Sequence, residues 1–374
     1  MTASRGNDAV LRGCTIVVAA DRRSGDLAST LASHGARVLR APAVAMRPNA
    51  EDELLIEHTR RIIARPPDIV VVTTGVGFRG WMDAAHENGL ADDLTRALRR
   101  ARFVARGPKA HGAIQEAGFS ADWVARSETA SEVGEYLVRS GVAGARVVVQ
   151  HHGTGDDGLD ALATTYGADA LGITVYRCGP APDPDLVART AVQAATGGAD
   201  AVLFTSARGA AEWLRLAERT GRLPLIGERA SKGRLLIAAV GPNTAAPFVE
   251  AGIHTRVAAR SRLGSLVHCV VDHYASGRHA RLRTAEGVLE VRSGGALLDG
   301  GFIPLSRASA DVLGALFDAG GNVLTREELS RVLPRPGRNS HAAEMAIARL
   351  REALGAPDLV KTVIKRGYRL AVSE

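Results

Sequence analysis

At 374 residues the chain exceeds what one ordinary hydrophobic core encloses, so two or three domains are expected. A composition 46% hydrophobic and 23% charged excludes a largely disordered chain, and no apolar run has the length of a membrane span. The formal net charge of +7 fits an anionic partner without choosing among DNA, a membrane surface and small acids.

Residues 1–13 are polar, lack the apolar core of a signal peptide and are expected to be disordered. Cys14, Cys178 and Cys269 are odd in number and widely scattered, with neither metal-ligand nor disulfide-framework spacing. That usage fits a reducing cytosol, so a cytoplasmic protein with no membrane partner is expected. From residue 14 to about 275, short apolar runs (14–20, 69–73, 103–105, 147–150, 201–205 and 235–240) predict buried strands. Amphipathic stretches between them (26–34, 51–64, 77–88, 130–140, 208–220 and 244–251) predict helices. This alternation predicts an α/β fold with parallel sheets covered on both faces.

An internal repeat divides the region. Residues 68–81 align without gaps on 200–213, placing Asp68 over Asp200, Thr73 over Thr205 and Trp81 over Trp213. A second pair aligns 105–118 on 239–252, with Gly107-Pro108 over Gly241-Pro242. Two similar parallel-sheet lobes are therefore predicted. Proline-flanked extended segments near 40–48 and 173–184 mark crossings between them. The first lobe is then discontinuous, residues 14–44 plus 173–275, with 45–172 inserted as the second. Residues 276–284 are basic and poor in core residues, and predict a flexible linker.

Residues 285–374 form a different domain. Apolar alternation broken at Gly294-Gly295 and at Asp299-Gly300-Gly301 predicts a small antiparallel sheet over 287–305. Ser306 is placed to cap a helix through 310–319, Thr325 and Glu328 form a capping box, and Asn339 or Ser340 can cap a third helix. In that helix Ala343, Ile347, Leu350 and Leu354 make one apolar stripe. Residues 362–370 are strand, basic turn and strand. Three helices and a hairpin make a winged helix-turn-helix, in which the third helix enters the major groove and the wing meets the backbone. From 331 to 369 there are nine Lys and Arg against three Asp and Glu, which nearly accounts for the whole chain's positive excess.

This segment resembles the OmpR/PhoB-type effector domain of response regulators. The matching stretches are 305–313, 323–329, 347–354 and 362–370, the last reading Thr-Val-Ile-Lys-Arg-Gly-Tyr-Arg-Leu. The resemblance implies a DNA-binding set of Arg338, His341, Glu344, Ala348 and Arg351 on or beside helix three, with Lys365 and Arg366 on the wing. The departures are Ser306, Ile364 and Lys365, where the family usually has Thr, Arg and Gly. Arg349 has an alternative structural reading, its stem packing beside Leu350.

Residues 14–275 resemble uroporphyrinogen-III synthase, on Thr73-Thr74-Gly75, Gly107-Pro108, Val175-Tyr176, Phe204-Thr205-Ser206 and Gly241-Pro242-Asn243-Thr244. That family has two α/β lobes joined by a two-stranded connector, needs no cofactor or metal, and closes hydroxymethylbilane into a ring. The resemblance implies that Tyr176 assists departure of the hydroxyl, although a packing role is an equal reading. Thr73, Thr74, Thr205, Ser206 and Thr244 fall at strand-to-helix turns. There hydroxyls and free N–H groups bind anions, and each is equally an ordinary helix cap. With Gly107, Lys109 and Asn243 they make the implied ligand-binding set. Lys109 and Ala110 depart from the hydroxyl-bearing pattern. His151 and His152 are unsuited to be a metal pair, because neighbours on a strand point to opposite faces. A contact from this histidine pair to a loop ligand or an anion stays open.

The combination implies a regulator that binds double-stranded promoter DNA, with synthase-like lobes that sense a tetrapyrrole or small anion or dock a second transcription factor. Fused in this way, the domains resemble actinobacterial regulators of nitrate and nitrite assimilation. The alternative is an active synthase, a lyase, that also carries a DNA-binding domain. Effector domains of this type often bind direct repeats as homodimers.

Overall fold

The computed structural model describes residues 10–21, 23–48, 53–151, 157–333 and 340–373, with backbone alone for 46–48, 176–178 and 340. The chain opens with β1 (Thr15–Val18), α1 (Ser24–Ser33), β2 (Arg37–Arg40) and β3 (Val44–Pro48). There follow α2 (Glu53–Ala64), β4 (Ile69–Val72), α3 (Gly75–Glu87), α4 (Ala91–Leu98), β5 (Arg102–Ala105), α5 (Pro108–Glu116), β6 (Ala121–Val124), α6 (Ala130–Ser140), β7 (Arg146–His151), α7 (Leu159–Thr165) and β8 (Asp169–Thr174). Next come β9 (Tyr176–Pro180), α8 (Pro184–Ala195), β10 (Ala201–Phe204), α9 (Ala207–Arg219), α10 (Leu223–Ser231), β11 (Leu236–Ala239), α11 (Pro242–Glu250), β12 (Arg256–Val257) and α12 (Leu263–Ala275). The last segment holds β13 (Leu282–Thr284), β14 (Gly287–Arg292), β15 (Gly295–Leu298), β16 (Gly301–Pro304), α13 (Arg307–Asp318), α14 (Arg326–Arg331), α15 (Ser340–Leu354), β17 (Val360–Val363) and β18 (Gly367–Leu370).

The chain divides into two units, residues 1–44 with 180–374, and residues 45–179. The second unit is built on a parallel sheet of order β6-β5-β4-β7-β8. Its central strand, Ile69-Val-Val-Val72, is buried on both faces, as a strand covered by helices on each side requires. Phe78, Trp81 and Phe103 fill one face of this sheet, and Val133, Leu137 and Leu159 the other.

The first unit contains a parallel sheet of order β12-β11-β10-β1-β2. Placing β10 over β4 brings β11 over β5, β12 over β6, β1 over β7 and β2 over β8. The two lobes thus share one sheet design, and lobe 1 starts with the pair of strands on which lobe 2 ends. The repeat extends to side chains. Trp81 Nε1 donates to Thr59 Oγ1 at 3.0 Å, and Trp213 Nε1 donates to Thr190 Oγ1 at 3.3 Å. The edge strands β6, β8 and β12 escape the periodicity of the sequence, because they carry Asp122, Asp169 and Arg256 among their apolar residues. Ile173 and Thr174 belong to β8 and so to lobe 2, one strand end later than the expected boundary. β3 and β9 pair as a separate two-stranded sheet at the crossings.

Behind α12 lie a four-stranded antiparallel sheet, β13-β14-β15-β16, three helices and the hairpin β17-β18. Leu313, Leu316, Leu329, Ile347, Leu350 and Leu370 make their common core. Ser306 caps α13, and the Thr325–Glu328 capping box opens α14 as expected. Among the described residues no helix is long and apolar enough to cross a membrane.

Two expectations fail within the first unit. Residues 276–284 are not a loose tether: His279 is buried, β13 pairs with β14, and Ala280 N donates to Gly233 O at 3.1 Å. Residues 10–13, at the end of the segment expected to be disordered, are packed. Leu11 is fully buried, and Arg292 donates to the carbonyls of Val10 and Arg12 at 2.7 and 2.8 Å. The C-terminal domain is therefore seated on lobe 1. Asp200, just before β10, accepts from Thr15 N at 2.7 Å and from Ser293 N at 2.9 Å, and Ser293 Oγ joins the same carboxylate. Arg234 pairs with Asp318 at 2.9 Å and lies over Phe317, while Arg307 donates to Thr196 O at 3.2 Å. Burial raises the Asp200 carboxyl above the usual range despite these donors.

Candidate functional site

Helix α15 has an apolar face of Ala343, Ile347, Leu350 and Leu354, all buried. The opposite stripe carries His341, Met345, Ala348, Arg349 and Glu352, all exposed. His341 and Ala348 thus stand where expected. Glu344 is half-buried and held by Arg326 at 2.7 Å. Arg349 is exposed on the same stripe. Met345 was missed as a candidate, although its spacing of four from His341 was readable.

Arg351 was expected to read bases, and the fold uses it otherwise. Its guanidinium donates twice to Val360 O, at 3.0 and 2.6 Å, and to Thr362 Oγ1 at 2.8 Å. It also lies over the Tyr368 ring at 5.7 Å, with Arg326 over the same ring at 6.0 Å. A planar fork with its donors engaged by a strand carbonyl fixes the angle between helix and wing. Arg338 lies outside the described residues.

The wing turns through Ile364-Lys365-Arg366, closed by Arg366 N donating to Val363 O at 2.9 Å. Lys365 has φ of 62°, a left-handed conformation that glycine adopts freely and lysine adopts at a cost of about 1–2 kcal/mol. Gly367, at φ 138°, lies where a Cβ would strike the backbone of Leu324, which forms a bridge with Tyr368. Among the described residues Lys365, Arg366 and Arg369 have no carboxylate partner, whereas Lys361 is paired with Asp358. Ile364, 83% exposed, tops the turn. The turn therefore presents unneutralised cations on a rigid hairpin, which is what a phosphate backbone attracts.

In lobe 2, Thr74 caps α3, its hydroxyl accepting from Gly77 N at 3.0 Å, and Thr73 is buried, donating to Gln150 O at 2.7 Å. Gln150, fully buried, accepts from Thr74 N at 3.2 Å and donates to the His151 carbonyl. Gly107 caps α5, with Pro108 in its first turn and Lys109 exposed. In lobe 1, Ser206 caps α9, its hydroxyl accepting from Gly209 N at 3.1 Å, and Thr205 is half-buried before it. Gly241 caps α11, Asn243 is exposed and Thr244 is buried in the first turn. The helix N-termini thus stand at the carboxyl ends of the strands, with Thr74 and Ser206 spent on capping. Thr73 and Thr244 are buried, and the Thr73 hydroxyl is already engaged by Gln150 O. Tyr176 lies in β9, and its side chain is outside the described part.

His151 is buried at the end of β7 with Asp160 Oδ2 at 2.7 Å and Asp157 Oδ1 at 3.5 Å. Burial alone would push its pKa down. The hydrogen bonds to Asp157 and Asp160 outweigh that and raise it to about 9. Two carboxylates on one imidazole make an internal clasp and repel an anion, so the anion contact left open for this residue is not made. His152 lies outside the described residues. Cys14 and Cys269 are free and buried, and burial pushes both thiols up, away from nucleophilic use. Among the described residues no group of three or more His, Cys, Asp and Glu side chains could hold a metal ion.

Comparison with known proteins matches residues 25–268 to the family of uroporphyrinogen-III synthase HemD and residues 300–370 to the transcriptional regulatory protein C-terminal domain. A curated relative, the uncharacterized protein YjjA of Bacillus subtilis (strain 168), is 26% identical over 71% of this chain and 97% of its own length. The structure of a mutant uroporphyrinogen III synthase from the extremely thermophilic bacterium Thermus thermophilus is similar at TM-score 0.57 and 24% identity, covering 71% of this chain and 99% of that one. The DNA-binding domain of Klebsiella pneumoniae RstA, in complex with RstA box, matches at 25% identity over 25% of this chain and 98% of its own, with TM-score 0.22.

Proposed function

Because this chain belongs to the uroporphyrinogen-III synthase HemD family and carries an OmpR/PhoB-type DNA-binding domain behind it, we propose that its lobes act as the sensing part of a transcription regulator. The lobes take a small anionic ligand at the helix N-termini after their strands, and the effector binds promoter DNA. The regulated genes are those of nitrate and nitrite assimilation, as in the regulators this fusion resembles. The observation that carries the reading is the seating of the effector on lobe 1 through Asp200 and Ser293. A ligand that shifts lobe 1 then has a mechanical route to the DNA-binding helix, provided it binds one arrangement better than another.

Lys365→Ala with Arg366→Ala tests the DNA face. Affinity should fall on matched and scrambled duplexes alike, and the slope of log affinity against log salt should shrink by about two. Unchanged affinity in that titration would sink the assignment. Arg351→Ala should lower affinity for every sequence, because it frees the wing rather than a base contact.

A second reading, an active synthase, is supported by the Gly-Pro turns Gly107-Pro108 and Gly241-Pro242 at matching strand ends of both lobes. Conversion of hydroxymethylbilane to uroporphyrinogen III above the spontaneous background, lost in Tyr176→Phe, would establish it. Absence of turnover would leave the scaffold to sensing.

A further inference from the structure

Away from the strand-end loops, at the amino end of β11, the first unit contains a cavity of about 260 Å³. Its wall is basic: Lys232 from the end of α10, His254 and Arg256 around β12, His273 from α12, and Arg278 and His279 from the segment leading into β13. Against these stands Asp272, shared by Arg278 at 2.6 Å and Arg256 at 3.6 Å, while Glu228 takes Lys232 and Glu290 takes His279. Two guanidinium groups on one carboxylate leave an uncompensated positive charge. His273 records it. Only 6% exposed, this imidazole is held at a pKa of about 4, first by burial and then by the fields of His279, Arg256 and Arg278. Its Nδ1 faces Arg256 Nη1 at 3.3 Å and must accept there, so the ring proton resides on Nε2 as a donor.

We propose that this cavity binds a small oxyanion of phosphate size, with Arg256, Arg278 and the His273 imidazole as its donors. The chemistry is that of charge-assisted donors converging on an acceptor-only group. The volume lies below the usual range for organic ligands, which favours a small ion over a tetrapyrrole. A cation is excluded by the arginines. His279 lines the cavity while its Nε2 holds Glu290 of β14 at 2.7 Å, so an occupant touches the joint between lobe 1 and the effector. The site is separate from the proposed ligand loops and from the DNA face.

Calorimetric titration of the full chain with inorganic phosphate, against chloride at equal ionic strength, tests it. Saturable one-site binding is expected, weakened at least tenfold in Arg256→Gln and in Arg278→Gln, and kept in Lys365→Ala with Arg366→Ala. Should Arg256→Gln fail to fold, Arg278→Gln, at an exposed side chain, carries the comparison. The His273 ring resonances should shift on saturation. No saturation while the protein stays folded, or loss of binding in the wing variant with none in Arg278→Gln, would overturn the site.

Discussion

Asp68 in lobe 2 and Asp200 in lobe 1 occupy the same place in the repeat and do the same local work. Each precedes a central strand and accepts the backbone N–H that starts the neighbouring strand, Arg146 N at 2.8 Å in one case and Thr15 N at 2.7 Å in the other. Asp68 stays exposed, whereas Asp200 is buried beneath Ser293 of the effector. The ends of the sheets diverge too. Gln150 fills the space over Thr74 in lobe 2, while lobe 1 has Ala19 at the equivalent position beside Ser206. A duplicated scaffold has thus been used twice. In one copy the carboxylate only starts a strand, and in the other it also fastens a DNA-binding domain.

The sharpest test of that division is Asp200→Ala against Asp68→Ala. Removing Asp200 strands Ser293 N in a buried joint, at about 1–3 kcal/mol for an unsatisfied donor, and leaves Thr15 N only the Ser293 hydroxyl at 3.0 Å. The exposed Asp68 should cost under about 1 kcal/mol, within the ordinary range for surface sites. Urea unfolding followed by Trp213 and Trp81 separately would measure both, and equal losses would erase the distinction. Next in size is Gly77→Ala against Gly209→Ala. A methyl at 77 strikes the hydrogen-bonded Gln150 amide and should cost about 1–3 kcal/mol, whereas at 209 it meets Ser206 Oγ at 3.0 Å and Ala19 O at 3.6 Å. There the gain in helix propensity, about 0.5–1 kcal/mol, should offset much of the contact, as thermal unfolding would reveal.

The third contrast concerns pH, and its sign differs between the lobes. His151 is raised to about 9, so its share of lobe 2 stability is full below the unfolded value near 6.5 and is lost as pH rises through 9. His273 is lowered to about 4, so its share of lobe 1 stability is full above 6.5 and is lost as pH falls toward 4. Unfolding midpoints should therefore decline at alkaline pH for lobe 2 and at acid pH for lobe 1. His151→Asn and His273→Asn should flatten the respective limbs.

Much of this was legible in the sequence because its causes are local. Thr74, Ser206, Ser306 and Thr325 cap the helices that follow them, and the stripe of Ala343, Ile347, Leu350 and Leu354 repeats at helical spacing. What escaped is decided by partners far along the chain. Arg351 looks like a reader of bases until Val360 O is found beneath it, and residues 276–284 look loose until Gly233 and β14 are placed beside them. The exposed stripe of α15 was misplaced by one residue at Glu344 and Arg351, since only the packing of Arg326 and Tyr368 fixes the helix rotation.

The discontinuity of lobe 1 also imposes a timetable. β1 lies between β2, made moments later, and β10, which begins 186 residues downstream. At the usual pace of synthesis, about 5–20 residues per second, β1 waits roughly ten to forty seconds for its second neighbour. Lobe 2, contiguous from α2 to β8, can close in that interval. The nascent protein therefore carries an orphaned strand of Thr-Ile-Val-Val past a finished domain, and the residues before it meet Arg292 only when the effector emerges. Slow translation would lengthen that wait.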